Sequence, residues 1–241
     1  TSGPLGQGHT MGVGAAIAAK FLGARFGDWM NHKVYGFISD GGIQEEISQG
    51  VGRIAGHLGL GNIVMFYDAN DIQLSTEVDD VTTEDTAKKY KAWNWHVVTI
   101  DGNDHAAIKK AIRAGLKKTE QPTLIIGKTV MGKGVRKEDG NLYEGEVELH
   151  GKPLGKSNAD YAKTIKGLGG DSDNPFQIFE EVAEHYKKAA SLKKRFANKS
   201  KKVHKAWASE NPELAAKLNQ FISGKLPEID WSQIEQKPTD A

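Results

Sequence analysis

Residues 62–67, Asn62-Ile63-Val64-Met65-Phe66-Tyr67, form a near-continuous apolar run that stops at Asp68-Ala69-Asn70. A run this short reads as a strand buried on both faces, the habit of parallel sheets covered by helices. The flanking chain repeats the theme. Val34-Tyr35-Gly36-Phe37-Ile38 reads as an earlier strand ending at Ser39-Asp40-Gly41-Gly42. Residues 96–100 read as a third strand, and residues 122–129 as a fourth that leads into Met131-Gly132-Lys133-Gly134. Helical patterns alternate with these strands. Segment 10–26 is small and apolar, Ile43, Ile47, Val51, Ile54 and Leu58 form one stripe, and segment 106–118 follows the third strand. This alternation predicts an α/β fold, a parallel β-sheet with helices on both faces and right-handed crossovers. Ligands of such sheets bind beyond the carboxyl ends of the strands. The glycine-rich and polar interruptions named above fall at those ends.

Composition changes near Asn174-Pro175, where glycine thins out and lysine, alanine and glutamate take over. We therefore expect a main domain over 1–175 and a helical extension over 176–241. Phe179, Val182, Ala183 and Tyr186 are candidates for one face of that extension. The lysines between 193 and 205 read as a solvated helix face, because the formal net charge of the whole chain is only +1. A nucleic-acid partner is not expected. No apolar run approaches the roughly 18 residues that span a bilayer, so no membrane partner is expected either. The chain has no cysteine, which excludes disulfides, thiolate metal sites and a cysteine nucleophile. That composition fits a reducing compartment, and a cytoplasmic location is expected. Thr1 lacks the basic start and apolar core of a signal peptide and reads as a cut end. Gln236-Lys237-Pro238-Thr239-Asp240-Ala241 reads as a linker that continues toward a further domain.

Asp40 and Asn70 carry the chemistry. A carboxylate at the tip of a buried strand is a good ligand for a hard cation. Gly41 and Gly42 behind it let backbone amides approach an anion closely. An Asp before glycine also occurs in ordinary turns and helix caps. Asn70 ends the next strand, 30 residues later. If the two strands are neighbours, both oxygens converge on one point. Mg²⁺ takes an octahedral set of oxygens and usually shares it with phosphates. An Asp, an Asn carbonyl, one main-chain carbonyl, two diphosphate oxygens and a water complete such a shell.

Asp-Gly, about 25–30 residues, then Asn resembles the thiamine diphosphate fingerprint. That resemblance implies that Asp40 and Asn70 are metal ligands, that Ile72 supplies its main-chain carbonyl, and that Gly41 contacts the diphosphate. Ser39 stands where the family usually has glycine, and the single Asn70 follows Asp68-Ala69 where the family often has two asparagines. Further segments are similar to transketolases in particular. Thr1-Ser2-Gly3-Pro4-Leu5-Gly6-Gln7-Gly8 resembles the segment that touches the cofactor's aminopyrimidine, a role that passes to Gly3, Pro4 and Leu5. Glu45 sits at the offset of a family glutamate found at the dimer interface. His150-Gly151-Lys152-Pro153-Leu154-Gly155 resembles the family's His-Gly-Ala-Pro-Leu-Gly, whose histidine contacts the cofactor phosphate and the substrate hydroxyl. The stretch 66–72 and Asn211-Pro212-Glu213-Leu214-Ala215 add to the likeness, which covers nearly the whole chain. Lys128 and Leu74 are further candidates near the site, whereas His57 and His96 read as structural.

The resemblance implies a thiamine diphosphate- and Mg²⁺-dependent transferase, with Ca²⁺ as the alternative ion. The reaction moves a two-carbon ketol unit from a ketose phosphate to an aldose phosphate, in the pentose phosphate pathway. It also implies that the intact protein is a homodimer with sites built across the subunit boundary. The chain alone is then expected to be inactive, because the domain that holds the aminopyrimidine half has no match in it. Dihydroxyacetone synthase and a non-catalytic homologue are the alternatives nearest to this reading. Deoxyxylulose-phosphate synthase and the α-keto-acid dehydrogenases fit the Gly3 and His150 motifs less well. A nucleotide-binding oxidoreductase would need Gly-x-Gly-x-x-Gly between strand and helix, and the glycines here are spaced differently.

Overall fold

A computed structural model describes residues 3–224, 226 and 228–235. The expectations for Thr1, Ser2 and residues 236–241 lie outside them. The centre is a sheet of β1 (Val34–Ser39), β2 (Ile63–Ala69), β5 (His96–Asp101) and β6 (Thr123–Lys128), in the order β1-β2-β6-β5. All three neighbouring pairs are parallel. A short antiparallel hairpin, β3 (Ile72–Gln73) and β4 (Thr76–Glu77), follows β2. The α/β class read from the alternation is the class observed.

Both faces of the sheet carry helices. On one, α5 (His105–Leu116) sets Ala111 against Val64 and Ile125. Asp104 starts this helix by accepting the amides of Ala106 and Ala107, which satisfies two donors that the first turn leaves open. On the other face lie α1 (Gln7–Phe26), α2 (Asp40–Gln44), α3 (Glu46–His57) and α4 (Thr86–Ala92). Val13, Ala16, Ile43, Ala55 and Tyr90 from these helices close over Ile63, Met65 and Leu124. The strands end level with one another. Ser39 pairs with Asp68, Asp68 with Gly127, and Lys128 with Asp101.

One sequence expectation is overturned. The stripe from Ile43 to Leu58 predicts a single helix with that stripe inward. The chain instead breaks at Glu45, whose backbone is extended (φ −58°, ψ 133°), and α2 and α3 are separate. Ile43 is buried, but Ile47, Ile54 and Leu58 remain about half exposed. The inward face of α3 is Ser48, Gly52, Ala55 and Gly56. Bulky neighbours explain this: Trp93 lies against Gly52 and Gly56, and the Trp95 indole donates to the Gly52 carbonyl at 2.8 Å. A Cβ on Gly56 would stand 1.6 Å from the Trp93 carbonyl oxygen.

Beyond the sheet come α6 (Tyr161–Gly167), α7 (Glu180–Glu210) and α8 (Pro212–Ser223). None of α7's residues is buried. Its end is held by aromatic contacts: Trp29 stacks on His204 with ring centroids 4.7 Å apart and meets Trp207 at 5.2 Å. Phe26 adds edge contacts to Trp207 and Phe221. Among the described residues no helix is long and apolar enough to cross a membrane.

Candidate functional site

The parallel pairing of β1 with β2 puts Asp40 and Asn70, each just past a strand end, beside one another. Asp40 is 1% exposed. Its Oδ1 accepts from the Tyr67 hydroxyl at 2.6 Å and its Oδ2 from the Asn70 amide at 3.1 Å. The Asn70 side-chain oxygen accepts the Ile72 amide at 3.1 Å. That bond closes a tight turn around Asp71, whose φ of 65° is left-handed, a conformation that Asp tolerates better than most residues. The three expected metal ligands, Asp40, Asn70 and Ile72, thus belong to one hydrogen-bonded chain.

Burial raises Asp40 above the usual carboxylate range, and the nearby Asp71 and Asp68 add to the rise. The bonds from Tyr67 and Asn70 oppose it. Among the described residues no lysine, arginine or histidine pairs with Asp40. A buried carboxylate without a cation is costly in its charged form. A divalent ion at this point would remove that cost, so the donor set fits one. Among the described residues no group of three or more His, Cys, Asp or Glu converges on a point. A metal here would therefore draw further oxygens from main chain, amide, water and ligand, which is the habit of Mg²⁺ beside a diphosphate.

The other predicted residues are placed as follows. Gly41 lies against Leu5: a Cβ on it would meet Leu5 Cδ1 at 3.3 Å. The loop carrying Gly3, Pro4 and Leu5 turns into α1 at Gly6, where φ is +81° and a Cβ would stand 2.5 Å from Ile47. Only glycine fits that turn. Ser39 caps α2, its hydroxyl accepting the Gly42 amide at 3.3 Å. A side chain is therefore accommodated where the fingerprint usually has glycine. His150 follows the short helical turn Val147–Leu149. Its loop is tied to the end of β6, because the Gly145 amide bonds to the Met131 carbonyl and Leu149 packs on Gly132. His150 Nδ1 is buried without a hydrogen-bond partner among the described residues. No hydrogen bond joins His150 to Asp40 or Asn70 among the described residues. Lys128 pairs with Asp71 at 3.0 Å, both side chains largely exposed. Leu74 is 75% exposed. His96 bonds to the Thr123 hydroxyl at 3.3 Å, and His57 is exposed.

Sequence reasoning missed Tyr67, which reads there as one more apolar strand residue. The available signal was its hydroxyl: a tyrosine inside a run buried on both faces needs a polar partner. It also missed the bond from Gln44 to Gln73 at 2.9 Å, which ties α2 to the hairpin, and the bond from the Thr129 hydroxyl to Asp68. A cleft of about 540 Å³ opens nearby, lined by Gln44, Tyr67, Asp71, Thr99 and Lys128 among others, but not by Asp40, Asn70 or His150. What sets this edge apart is the buried Asp40 carboxylate and not open volume.

The chain matches the family model described as transketolase, thiamine diphosphate binding domain, over residues 1–227. It is 36% identical to transketolase 2 of Escherichia coli strain K12 over 242 residues, covering 98% of this chain and 35% of that protein. It is 37% identical to transketolase 2 of Aliivibrio fischeri, covering 97% and 34%. Among solved structures it resembles a Pichia stipitis transketolase in complex with sedoheptulose 7-phosphate (TM-score 0.85, 31% identity, 95% of this chain and 33% of that one). It also resembles transketolase from Leishmania mexicana (TM-score 0.88, 25% identity, 99% and 35%). The chain thus spans about a third of the length of these relatives. By the match over 1–227, it belongs to the family of transketolase thiamine diphosphate-binding domains.

Proposed function

We propose that this chain is the diphosphate- and metal-binding part of a transketolase. The observation that carries the reading is Asp40, a buried carboxylate without a cationic partner among the described residues, hydrogen-bonded to Asn70 across adjacent parallel strand ends. In this reading Asp40, Asn70 and the Ile72 carbonyl hold Mg²⁺. Gly41, Asn70 and His150 contact the diphosphate half of thiamine diphosphate, and Gly3, Pro4 and Leu5 reach toward its aminopyrimidine. The cofactor supplies the electron sink for carbon–carbon cleavage. His150 accepts the proton of the donor sugar's hydroxyl as that bond breaks. The division into a binding domain over 1–175 and a helical linker over 176–241 is part of the same proposal.

The whole protein then transfers a two-carbon ketol unit between sugar phosphates in the pentose phosphate pathway. Sugar phosphates as partners find support in the Pichia stipitis relative solved with sedoheptulose 7-phosphate. A homodimer is supported by the outward apolar residues Ile47 and Ile54 of α3 and Leu58 just past its end, since exposed apolar patches mark contact surfaces. A cytoplasmic location rests on the absence of cysteine.

The test is a titration of thiamine diphosphate onto the chain with and without Mg²⁺, by calorimetry and thermal unfolding, alongside Asp40→Ala. At about 100 times Kd the ligand stabilises by about 2.7 kcal/mol. For a domain of this size that raises Tm by roughly 5–10 °C. Binding should require Mg²⁺ and vanish in Asp40→Ala. Binding that ignores both the metal and the substitution would overturn the assignment, as would no binding at all by the chain.

A further inference from the structure

The turn that carries His150 is fastened from two sides. Residues 135–143 fold into a hairpin: the Tyr143 amide donates to the Val135 carbonyl at 2.8 Å, and the Lys137 amide to the Asn141 carbonyl at 2.9 Å. The hairpin leans on the start of α6. The Arg136 amide donates to the buried Thr164 hydroxyl at 3.0 Å, and the Asp160 amide to the Arg136 carbonyl at 2.7 Å. Tyr143 is buried, its ring in a small core with Val135 and Leu149. Its hydroxyl leaves that core and donates to Glu148 Oε2 at 2.8 Å. The same oxygen accepts from the Asn158 side chain at 3.3 Å. Glu148 lies in the turn Val147–Leu149, and the His150 amide closes onto the Val147 carbonyl at 3.0 Å. The turn thus has an apolar anchor, Leu149 against Gly132, and a polar anchor, Glu148 under Tyr143. Together the two fix how the turn is rotated, and with it the direction in which residue 150 leaves the chain.

We infer that Tyr143 is a positioning residue, whose hydroxyl acts through Glu148 to hold His150 in the direction that meets the cofactor's diphosphate. The inference rests on the proposed function, which puts His150 against the diphosphate. The physical reason is the cost of ordering. A binding side chain works best when its support holds it in place before the ligand arrives. A loose loop must be ordered on binding, and that lowers affinity. His150 Nδ1 has no hydrogen-bond partner among the described residues, so the ring is aimed by the backbone beneath it. Tyr143 itself stands on a braced hairpin, which makes it a firm point from which to hold that backbone.

Tyr143→Phe keeps the ring in its core and deletes the hydroxyl. Thiamine diphosphate is titrated by calorimetry, with Mg²⁺ present, onto the parent chain, Tyr143→Phe, His150→Ala and the double variant. Tyr143→Phe should weaken binding by roughly 3–10-fold, the scale of one hydrogen bond. In the His150→Ala background the same change should cost nothing further, because the hydroxyl acts only through that histidine. A merely structural role would weaken binding equally in both backgrounds, and that outcome overturns the inference. So does an affinity that Tyr143→Phe or His150→Ala leaves unchanged. Glu148→Gln keeps an acceptor for the hydroxyl and should bind as the parent does, whereas Glu148→Ala should match Tyr143→Phe. A Glu148→Gln as weak as Glu148→Ala defeats the relay through that bond. If Tyr143→Phe does not fold, Glu148→Ala, at an exposed position, takes its place in the cycle with His150→Ala. If the parent chain binds no cofactor, or Asp40→Ala binds as the parent does, the reading of the site fails and the inference falls with it. Binding that needs Asp40 but ignores Tyr143→Phe defeats the role of Tyr143 alone.

Discussion

His9 is 4% exposed, and neither ring nitrogen has a hydrogen-bond partner among the described residues. It packs edge-on against Trp95, with ring centroids 6.3 Å apart. Burial lowers its pKa from 6.5 to about 4. The folded protein therefore holds His9 neutral where the unfolded chain protonates it. The sign follows from linkage: the unfolded state binds more protons between about pH 6.5 and 4, so stability is full above that window and falls as pH drops through it. The 2.5-unit window caps the loss at about 3 kcal/mol. Urea unfolding at about pH 7.5 and about pH 4.5 checks this. His9→Leu should lose about 2–3 kcal/mol less than the parent chain over that interval, and an equal loss would show that His9 titrates normally. At this scale Asp40 and Asn70 were legible in the sequence, because each is a polar residue that stops an apolar strand. The bond from Tyr67 to Asp40 was not, because nothing local says which carboxylate a buried hydroxyl meets.

At the scale of elements, α3 is the instructive case. Its apolar stripe is real in the sequence, yet the helix docks through Ser48, Gly52, Ala55 and Gly56. Periodicity reveals that a helix has two faces; it does not reveal what stands opposite each. Here the neighbours are the Trp93 and Trp95 segments, so large that only small residues fit between. Gly56→Ala tests this directly, since its Cβ would fall 1.6 Å from the Trp93 carbonyl oxygen, a backbone atom that cannot swing aside. Overpacking of this kind costs about 3 kcal/mol, read as a lower urea midpoint. Ile54→Ala, on the outward face, should change the unfolding free energy by less than about 1 kcal/mol in the isolated chain. The four strands of the central sheet were read within one or two residues of where they lie, because β-branched runs bounded by polar stops are local signals, whereas the two-residue strands β3 and β4 went unread. The short helices α4 and α6 went unread, being too brief to show a period.

For the whole molecule, the sheet is covered unevenly. α5 packs on Val64 and Ile125, while Tyr35 and Phe37 of the edge strand β1 stay 57% and 85% exposed. Parallel sheets are normally covered on both faces, and this chain spans about a third of its relatives. Under the proposed function the chain binds the diphosphate half of the cofactor but does not turn over alone. A coupled spectrophotometric assay with a ketose phosphate and an aldose phosphate should show no ketol transfer by the purified chain, and measurable transfer would refute that expectation. The sequence by itself determined the α/β class, the strand ends and the Asp40–Asn70 spacing, because these depend on short-range pattern. Only the tertiary structure decided that Tyr67 and the Asn70 amide hold Asp40 between them, that His150's loop is tied to the end of β6, and that α3 turns its small face inward. Those contacts join residues far apart in the chain, and which distant groups meet is fixed by packing, not by the local preferences that a sequence displays.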